Sequence, residues 1–368
     1  MWIWYALLIF LIVSTVLGAV YLTVCFSRFG LFRKIAGGRR FVRLASAFGM
    51  LAILFTALTL TMNLMNAVIV FLHFTAAFLL FGLLDTLAAG FRGKPFPFYA
   101  QGWAALTVTV LYLAAGWHLC HHVRQTGYTI STEKPIEDIR IALFADAHIG
   151  TTFDGSGMAR HLGTIMAQNP DIILIAGDFV DDGTTRHDML RACEALGAVR
   201  PKYGVWFVWG NHDEGYFRNR GFSMTDLADA LEKNGVVVLG DQTAAVGPLF
   251  LIGRLDASRF PRRTVSDLAR GAPAEKYTVI IDHEPTDYEN EARTSADLVV
   301  SGHTHRGQLF PLNRAGEWFR LNDRTYGHER RNGTDFIVTS GISDWAVKFK
   351  TGTRSEYVII DVKTADHQ

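Results

Sequence analysis

Two histidines separated by one residue, in the stretch Gly302-His303-Thr304-His305, are the clearest sign of chemistry in this sequence. They follow the apolar run DLVVS and precede a turn that contains glycine. Imidazole is a common ligand of transition metals. Two imidazoles at this spacing can serve two adjacent ions, one histidine each. The stretch therefore predicts a metal site.

Four further polar clusters also come directly after short apolar runs. They are Asp146-Ala147-His148, Gly177-Asp178, Gly210-Asn211-His212-Asp213 and Asp282-His283-Glu284. Because chemistry in open α/β sheets gathers at the carboxyl ends of strands, we expect all five clusters in one place. Carboxylates and imidazoles bind Mn, Fe or Zn, and a pair of such ions suits phosphoryl transfer.

The spacing within the clusters also predicts local geometry. Alternate residues of an extended backbone point the same way, so we expect both side chains of each D-x-H or H-x-H to face one cavity. Glycines precede Asp178, Asn211 and His303, and we expect them to let the backbone turn sharply beside the ions.

The elements that must position these clusters alternate between strands and helices. The runs RIALFADAHIG, DIILIAGDFVDD and GVWFVWGNHDEG are separated by segments with helical spacing at 157–168 and 187–199. This order predicts βαβ units and a largely parallel sheet that is buried on both faces. Six later strands with fewer helices fit two packed sheets: VVVLG, LFLIG, YTVIID, DLVVSG, DFIVTSG and EYVIIDV.

The first third of the chain is far more apolar than the rest. We predict four membrane-spanning helices: one at 2–26, two in the run 44–90 that is divided near Asn63, and one at 103–120. The first lacks the basic start and cleavage site of a signal peptide. We therefore divide the chain into a helical transmembrane domain at 1–125, a linker at 126–138 and a soluble domain at 139–368.

The basic residues of the loops predict the orientation. Arg28, Arg33, Lys34, Arg39, Arg40 and Arg43 lie between the first two spans, and Arg92 and Lys94 lie between the last two. The positive-inside rule places both loops in the cytoplasm. Four spans then put the soluble domain outside, whereas three would put it inside. His73 and Asp85 fall within a span, where ionisable groups suggest either a function or a local structural role.

Composition excludes some classes of protein. The net charge of +1 gives no reason to expect nucleic acid as a partner. Cys25, Cys120 and Cys193 are far apart and have no CxxC spacing, so they indicate neither a disulfide framework nor a thiolate zinc site.

Taken in order, the motifs D-x-H, G-D-x-x-x-D, G-N-H-D, a lone His and G-H-T-H resemble those of the calcineurin-like metallophosphoesterases. The resemblance runs from about Ile139 to Val362 and implies an α/β fold, a four-layer αβ sandwich of two mixed sheets flanked by helices. It implies two divalent metal ions (Mn, Fe or Zn). The first would be held by Asp146, His148, Asp178 and His305, and Asp178 would bridge to a second that is completed by Asn211, His283 and His303.

The same resemblance implies roles for the residues around the ions. His212 would donate a proton to the leaving oxygen or stabilise the phosphoryl charge, and Asp213 would orient it. Asn211, together with the cations, would stabilise the charge that develops during the reaction. One of Asp181 and Asp182 matches the last aspartate of the family pattern, although a solvated loop acid is an equal alternative.

Further residues are candidates for substrate contacts. Arg306 stands where the family pattern has glycine, and it could bind a substrate phosphate or be a surface residue that pairs with Asp344 or another acid. Several aromatic residues in the loops after the motifs could line a substrate pocket, and Tyr326 is the preferred candidate. The others are Phe217, Phe222, Trp318, Phe319 and Trp345, and for Trp345 we favour an ordinary core position.

The combination of a membrane region with these motifs resembles the membrane-anchored phosphodiesterases related to UDP-2,3-diacylglucosamine pyrophosphatases. The leading hypothesis is a hydrolase in a bacterial inner membrane, with its catalytic domain outside, that cleaves a phosphodiester or pyrophosphate bond of a lipid-linked or cell-envelope substrate through metal-activated water. Membrane lipids are the expected surroundings. Two alternatives are a cytoplasm-facing UDP-2,3-diacylglucosamine pyrophosphatase and a catalytically silent metal-binding sensor.

Overall fold

The computed structural model describes residues 2–93, 96, 98–216 and 220–365, with the backbone alone for 2–8. Lys94 and Phe217, which enter the sequence analysis, lie outside the described residues. The chain divides into two compact units, Met1–Ala115 and Gly116–Gln368.

The first unit is helical. Its helices are α1 (Trp2–Phe26), α2 (Gly30–Ala36), α3 (Arg40–Thr61), α4 (Leu64–Arg92) and most of α5 (Ala100–His121). Four stretches are long and apolar enough to cross a bilayer, as predicted: Ile9–Phe26, Arg40–Thr61, Leu64–Arg92 and Ala100–His121. Large apolar side chains such as Phe41, Ile53 and Leu60 point outward, as the helices of a membrane bundle require.

Two polar residues of this unit, Asn63 and His73, have local partners, whereas Oδ1 of Asp85 is buried without a hydrogen-bond partner among the described residues. Asn63 caps α4, because its side chain accepts a hydrogen bond from the Asn66 backbone N–H at 2.8 Å. This cap divides the long apolar run into α3 and α4. Nδ1 of His73 lies 2.8 Å from the carbonyl oxygen of Ile69, one turn earlier in the same helix. That contact satisfies one ring nitrogen within the helix itself.

The second unit contains two six-stranded mixed sheets. The first has the order β1-β12-β2-β3-β4-β5 and is parallel except between β12 and β2. Its strands are β1 (Arg124–Thr132), β2 (Ile139–Phe144), β3 (Ile172–Ala176), β4 (Val205–Val208), β5 (Val236–Leu239) and β12 (Glu356–Thr364).

The second sheet has the order β10-β11-β9-β8-β7-β6, with parallel pairing from β11 to β7 and antiparallel edges. Its strands are β6 (Gln242–Val246), β7 (Leu249–Gly253), β8 (Tyr277–Ile281), β9 (Leu298–Ser301), β10 (Gly327–Arg331) and β11 (Thr334–Val338). The helices are α6 (Gly155–Met166), α7 (Arg186–Ala198), α8 (Met224–Lys233), α9 (Val265–Ala269), α10 (Tyr288–Glu291) and α11 (Ala315–Trp318).

Side chains that point alternately to the two faces of each central strand produce the layers. In β2, Ile141 and Leu143 point into the core between the sheets, whereas Ala142 and Phe144 point to the core under helices α6–α8. A third cluster packs β7–β9 and β11 against α9 and α10. The order helices, sheet, sheet, helices is the predicted four-layer sandwich, and it is confirmed.

Some elements of the structure were not predicted from the sequence. Residues 124–132 pair in parallel with β12, so part of the segment assigned to a linker lies in a sheet. The strands β6 and β10 and the helices α2, α8, α9, α10 and α11 are also additional to the predicted elements. The edge strands β6 and β10 have exposed residues along their length, so they lack the continuous apolar run of the central strands.

Candidate metal centre

The five polar clusters meet at the carboxyl ends of β2, β3, β4, β8 and β9. Two groups of side chains there could each hold a metal ion. The first is Asp146, His148 and His305, and the second is Asp178, His283 and His303. Within each group the possible ligand atoms all lie within 4.8 Å of one another. The fold therefore brings together residues that are 159 positions apart in the chain, from Asp146 to His305 (305 − 146).

The first group is buried and has unpartnered ligand atoms. Both ring nitrogens of His148 and one oxygen of Asp146, Oδ2, are buried without a hydrogen-bond partner among the described residues. Leaving such atoms unsatisfied costs free energy, on the order of 1–3 kcal/mol each. A cation among them would remove that cost.

The second group converges more closely. Nδ1 of His303 lies 3.3 Å from Nε2 of His283, and Oδ1 of Asn211 lies 2.9 Å and 3.1 Å from these two atoms. The ring of His283 donates through Nδ1 to the Ala176 carbonyl at 2.7 Å, which leaves Nε2 with its lone pair toward the site. Asn211 thus belongs with His283 and His303, as the resemblance implies.

Asp178 lies between the two groups. Its Oδ2 is 3.2 Å from Nε2 of His283 in the second group and 3.7 Å from Nε2 of His148 in the first. Its Oδ1 accepts a hydrogen bond from the backbone N–H of His212 at 2.8 Å. One carboxylate oxygen therefore faces both groups, which is the position a bridging ligand needs.

The clusters reach one cavity through left-handed backbone and not through extended strands. Positive φ angles occur at Asp146 (56°), His148 (37°), Asp178 (54°), His303 (69°) and His305 (47°). The expectation of alternate residues in an extended backbone is therefore wrong. Such conformations cost on the order of 1 kcal/mol or more per residue and concentrate at functional sites.

Two glycines are required because neighbouring loops approach them too closely for a side chain. A Cβ at Gly210 would lie 2.2 Å from Oδ1 of Asp178, and one at Gly302 would lie 2.4 Å from Cβ of Ala145. Any side chain at either position would push the loops apart. These glycines keep the loops after β2, β3, β4 and β9 together.

The carboxylates give the site a negative field. Although burial opposes it, the field of Asp181, Asp178 and Asp146 raises the pKa of His148 to about 9. Against the same effect of burial, Asp178 holds the pKa of His283 well above its ordinary value, and the two imidazoles hold the pKa of Asp178 well below its own. A site that attracts protons this strongly also attracts a cation.

Asp213 ties two loops together. Its Oδ2 accepts from the backbone N–H groups of Asp178 and Gly210, both at 2.8 Å, and its Oδ1 accepts from Phe179 and Val180 at 2.8 Å and 3.1 Å. Burial and the nearby Asp178 nevertheless raise the pKa of Asp213 to about 7. Its recorded bonds go to the backbone and not to the ring of His212, so Asp213 positions the metal loops and does not orient that ring.

His212 stands beside the first group and between two aromatic rings. Its ring centroid is 5.0 Å from that of His148, 5.0 Å from Tyr216 and 5.4 Å from Trp345. Burial lowers the pKa of His212 to about 4. Trp345 is 41% exposed, so the expected core position is wrong and the ring lies at the mouth of the site.

Three neighbours of the site were missed in the sequence. Nδ1 of His305 lies 3.1 Å from Oδ1 of the buried Asp344. Sγ of Cys120 donates to Oδ2 of Asp344 at 3.4 Å, and Nζ of the buried Lys350 lies 4.0 Å from Oδ1. The charged residues Asp344, Lys348 and Lys350 are visible in the sequence 339–353, but only the fold places Asp344 and Lys350 behind a metal ligand.

Tyr216 was also missed, although it follows the G-N-H-D motif closely. Its hydroxyl accepts a hydrogen bond from Nδ2 of Asn211 at 2.8 Å. This bond fixes the amide so that its oxygen, not its nitrogen, faces His283 and His303. Tyr216 therefore orients a candidate metal ligand.

The remaining candidate residues from the sequence analysis lie at different positions around the metal centre. The guanidinium of Arg306 lies 4.0 Å from the ring centroid of Tyr326, so these two residues form one unit, and Asp344 lies against His305 instead. Oδ2 of Asp181 is 3.6 Å from Nδ1 of His148, while Asp182 accepts from the Tyr216 backbone N–H at 3.0 Å. Of the other aromatic candidates, Phe222 is buried in the core, whereas Trp318 and Phe319 are exposed.

Comparisons with known proteins place the family match at the start of the predicted soluble domain. The family model of the calcineurin-like phosphoesterases matches residues 139–307. An uncharacterized metallophosphoesterase of Aquifex aeolicus is 30% identical over 260 residues, covering 68% of this chain and 96% of that protein. A transmembrane protein with metallophosphoesterase domain from Danio rerio is 28% identical over 296 residues, covering 73% of this chain and 64% of that protein.

Other matches are more partial. The uncharacterized metallophosphoesterase Cj0846 of Campylobacter jejuni is 26% identical over 235 residues, covering 62% of this chain and 60% of that protein. The chain thus spans less than two thirds of the length of this relative and of the Danio rerio protein. A solved dimetal phosphatase from Danio rerio covers 55% of this chain and 87% of its own, at 11% identity and a TM-score of 0.34, which is too low to support an inference.

Proposed function

Because the chain belongs to the calcineurin-like metallophosphoesterase family, we propose that it is a membrane-anchored hydrolase that uses two divalent metal ions to cleave a phosphodiester or pyrophosphate bond. The observation that carries the proposal is the pair of ligand groups with Asp178 between them. Two cations at such a centre supply Lewis acidity to a phosphoryl group and an activated water. Mn, Fe and Zn all suit this set of nitrogen and oxygen ligands.

The residues of the site would have different roles in metal binding and catalysis. Asp146, His148 and His305 would hold one ion, while Asn211, His283 and His303 would hold the other, with Asp178 shared. His212 lies beside the first group, where it would stabilise the phosphoryl charge or assist departure of the leaving oxygen. Arg306, which lies over Tyr326, would bind a second substrate phosphate or a phosphate oxygen.

The membrane region supports a substrate that is lipid-linked. Helix α5, a candidate span, ends at His121, and β1 begins at Arg124. Three steps of extended chain reach roughly 11 Å at most, so the catalytic domain stays close to the end of that helix. Phosphate esters of lipids or of envelope polymers at the same surface would be the nearest substrates.

The proposed location is a bacterial inner membrane with the catalytic domain outside, from the four spans and the basic loops. A cysteine in place of the exposed Asp229, with Cys25, Cys120 and Cys193 removed, would report the side. Labelling of intact cells by an impermeant thiol reagent is the expected result. Labelling only after lysis would contradict this orientation and favour cleavage of UDP-2,3-diacylglucosamine on the cytoplasmic side.

Turnover of bis-p-nitrophenyl phosphate by the full chain tests the activity. We expect hydrolysis that stops on chelation and returns with Mn²⁺, and we expect Asp178→Asn to abolish it together with metal binding. Asp229→Asn, an exposed aspartate on α8, is the matched control and should change neither. Full turnover by a metal-loaded Asp178→Asn protein would refute the mechanism, and metal binding by the wild type without any turnover would favour the sensor.

A further inference from the structure

The segment 309–321, which begins four residues after His305 (309 − 305), exposes an unusual amount of apolar surface. Five large apolar side chains in it are 57% to 73% exposed: Phe310, Leu312, Trp318, Phe319 and Leu321. In the rest of the described chain after His121, the exposed large apolar residues are Leu190, Tyr216, Val237 and Trp345, each at most 48% exposed. Contiguous apolar exposure of this kind marks an interaction surface.

The backbone of this segment is held in place at both ends. The N–H of Phe310 donates to Oγ1 of Thr351 at 3.1 Å, and the N–H of Leu321 donates to the carbonyl of Gly316 at 2.8 Å. Oε1 of Glu317 accepts from the N–H of Thr325 at 2.9 Å. The fold therefore fixes the segment while leaving its large side chains in solvent.

Two further hydrogen bonds connect the surroundings of the segment to the metal centre. Oγ1 of Thr304, between the two histidines, donates to the carbonyl of Thr325 at 2.6 Å. Nε2 of Gln308 donates to the carbonyl of Val347 at 3.0 Å, two residues beyond Trp345, whose ring lies beside His212. Whatever binds the segment is thus brought to the mouth of the site.

The charges around the apolar side chains indicate what binds. The stretch 306–321 contains three arginines, Arg306, Arg314 and Arg320, and one acid, Glu317. Arg314 and Arg320 are exposed and take part in no ion pair within the described ranges. Aromatic and aliphatic side chains interleaved with arginine are typical of segments that lie in the interface of an anionic bilayer. Helix α5 is a candidate span that ends at His121, three positions before β1 begins, so a membrane crossed by α5 would lie near this domain.

We propose that the segment 309–321 inserts into the lipid–water interface of an anionic membrane and seats the mouth of the metal centre on that surface. The inference rests on the proposed membrane anchoring and deepens the proposed lipid-linked substrate. A phosphate ester whose lipid tail stays in the bilayer would reach the metals without leaving the interface.

The test uses the full chain in lipid nanodiscs. Single cysteines at Leu312 or Phe319, in a Cys25→Ala, Cys120→Ser, Cys193→Ala background, carry a nitroxide, and collision with oxygen and with a water-soluble nickel complex gives its depth. We expect high oxygen and several-fold lower nickel accessibility than for a label at Leu190, with a larger difference in discs that contain phosphatidylglycerol. Leu190 is the matched control, because it is also exposed but lies on α7.

Two results would overturn the proposal. Accessibility at both positions equal to that at Leu190, in neutral and in anionic discs, would place the segment in water. Protection from both collision reagents would place it against protein. Neither result depends on turnover. The accessibility of the label therefore tests membrane insertion even if the proposed phosphoesterase activity is not found.

Activity provides a second readout. In a Trp318→Ser, Phe319→Ser protein we expect the ratio of turnover on a phosphodiester lipid in vesicles to turnover on bis-p-nitrophenyl phosphate to fall several-fold. Leu190→Ser should leave this ratio unchanged. An unchanged ratio in the double variant would contradict a role of the segment in delivering lipid substrates.

Discussion

The two halves of the metal centre are made of similar ligands but are supported by different partners. In the first half, the imidazoles of His148 and His305 face the carboxylates of Asp181 and Asp344, at 3.6 Å and 3.1 Å. In the second half, His283 donates to the Ala176 carbonyl and Asn211 donates to the Tyr216 hydroxyl, both neutral groups. A carboxylate behind an imidazole raises its basicity, so the first half should bind its ion more tightly.

The largest effect should come from removing one ligand of each half. We expect His305→Ala to lose the first ion and His283→Ala to lose the second, each leaving one ion per chain and no turnover, because both ions would be needed at the same phosphoryl group. Metal analysis of the purified proteins measures this. Loss of both ions from both variants would mean that the halves are not separate sites.

A smaller effect is expected from the carboxylate behind His305. Asp344→Asn keeps the shape of the side chain but removes its charge, and it should weaken the first ion by about 10–100-fold. The second ion should change little. Titration of the metal-free protein with Mn²⁺ gives both affinities, and circular dichroism checks the fold, since Lys350 also loses its neighbouring charge. An unchanged first ion would contradict the role of Asp344.

A still smaller effect on metal affinity is expected from the Tyr216 hydroxyl, the neutral group that bonds Asn211 in the second half. Tyr216→Phe removes the hydrogen bond to Asn211 and keeps the ring beside His212. Losing this hydrogen bond should cost about 1 kcal/mol of metal-binding free energy, so we expect Tyr216→Phe to bind the second ion roughly fivefold more weakly. Tyr203→Phe is the control, because Tyr203 precedes β4 and its hydroxyl binds Glu137, whereas the candidate ligands follow the carboxyl ends of the strands. If Tyr216→Phe lowered the affinity for the first ion more than that for the second, Tyr216 would not be the support of the second half.

The smallest effect on either ion is expected at Arg306. Because its guanidinium lies over Tyr326 and not among the ligand atoms, Arg306→Gln should leave metal content unchanged. If it binds a substrate phosphate, KM should rise about tenfold, as expected for a lost charged hydrogen bond, with kcat nearly constant. Unchanged KM for every phosphate ester tried would return Arg306 to a structural role at the surface.

The sequence predicted the layers of the fold because central strands bury both faces and so appear as continuous apolar runs. The candidate ligands were predictable for a related reason, since each directly follows such a run. The edge strands and the strand at 124–132 gave no comparable signal.

What could not be read from the sequence depends on contacts between distant residues. The left-handed backbone at Asp146 and Asp178, and the four backbone hydrogen bonds of Asp213, follow from how loops pack against one another. Asp344 lies 39 positions after His305 (344 − 305), and no local motif joins the two. Residues that position ligands are therefore harder to predict than the ligands themselves.

The measurement that tests the central claim most directly is the number of metal ions per chain during stepwise chelation of the wild-type protein, followed together with turnover. We predict two ions per chain, with the second half emptying first and turnover ending at that step. A protein that holds one ion or none while hydrolysing phosphodiesters at full rate would contradict the two-metal account.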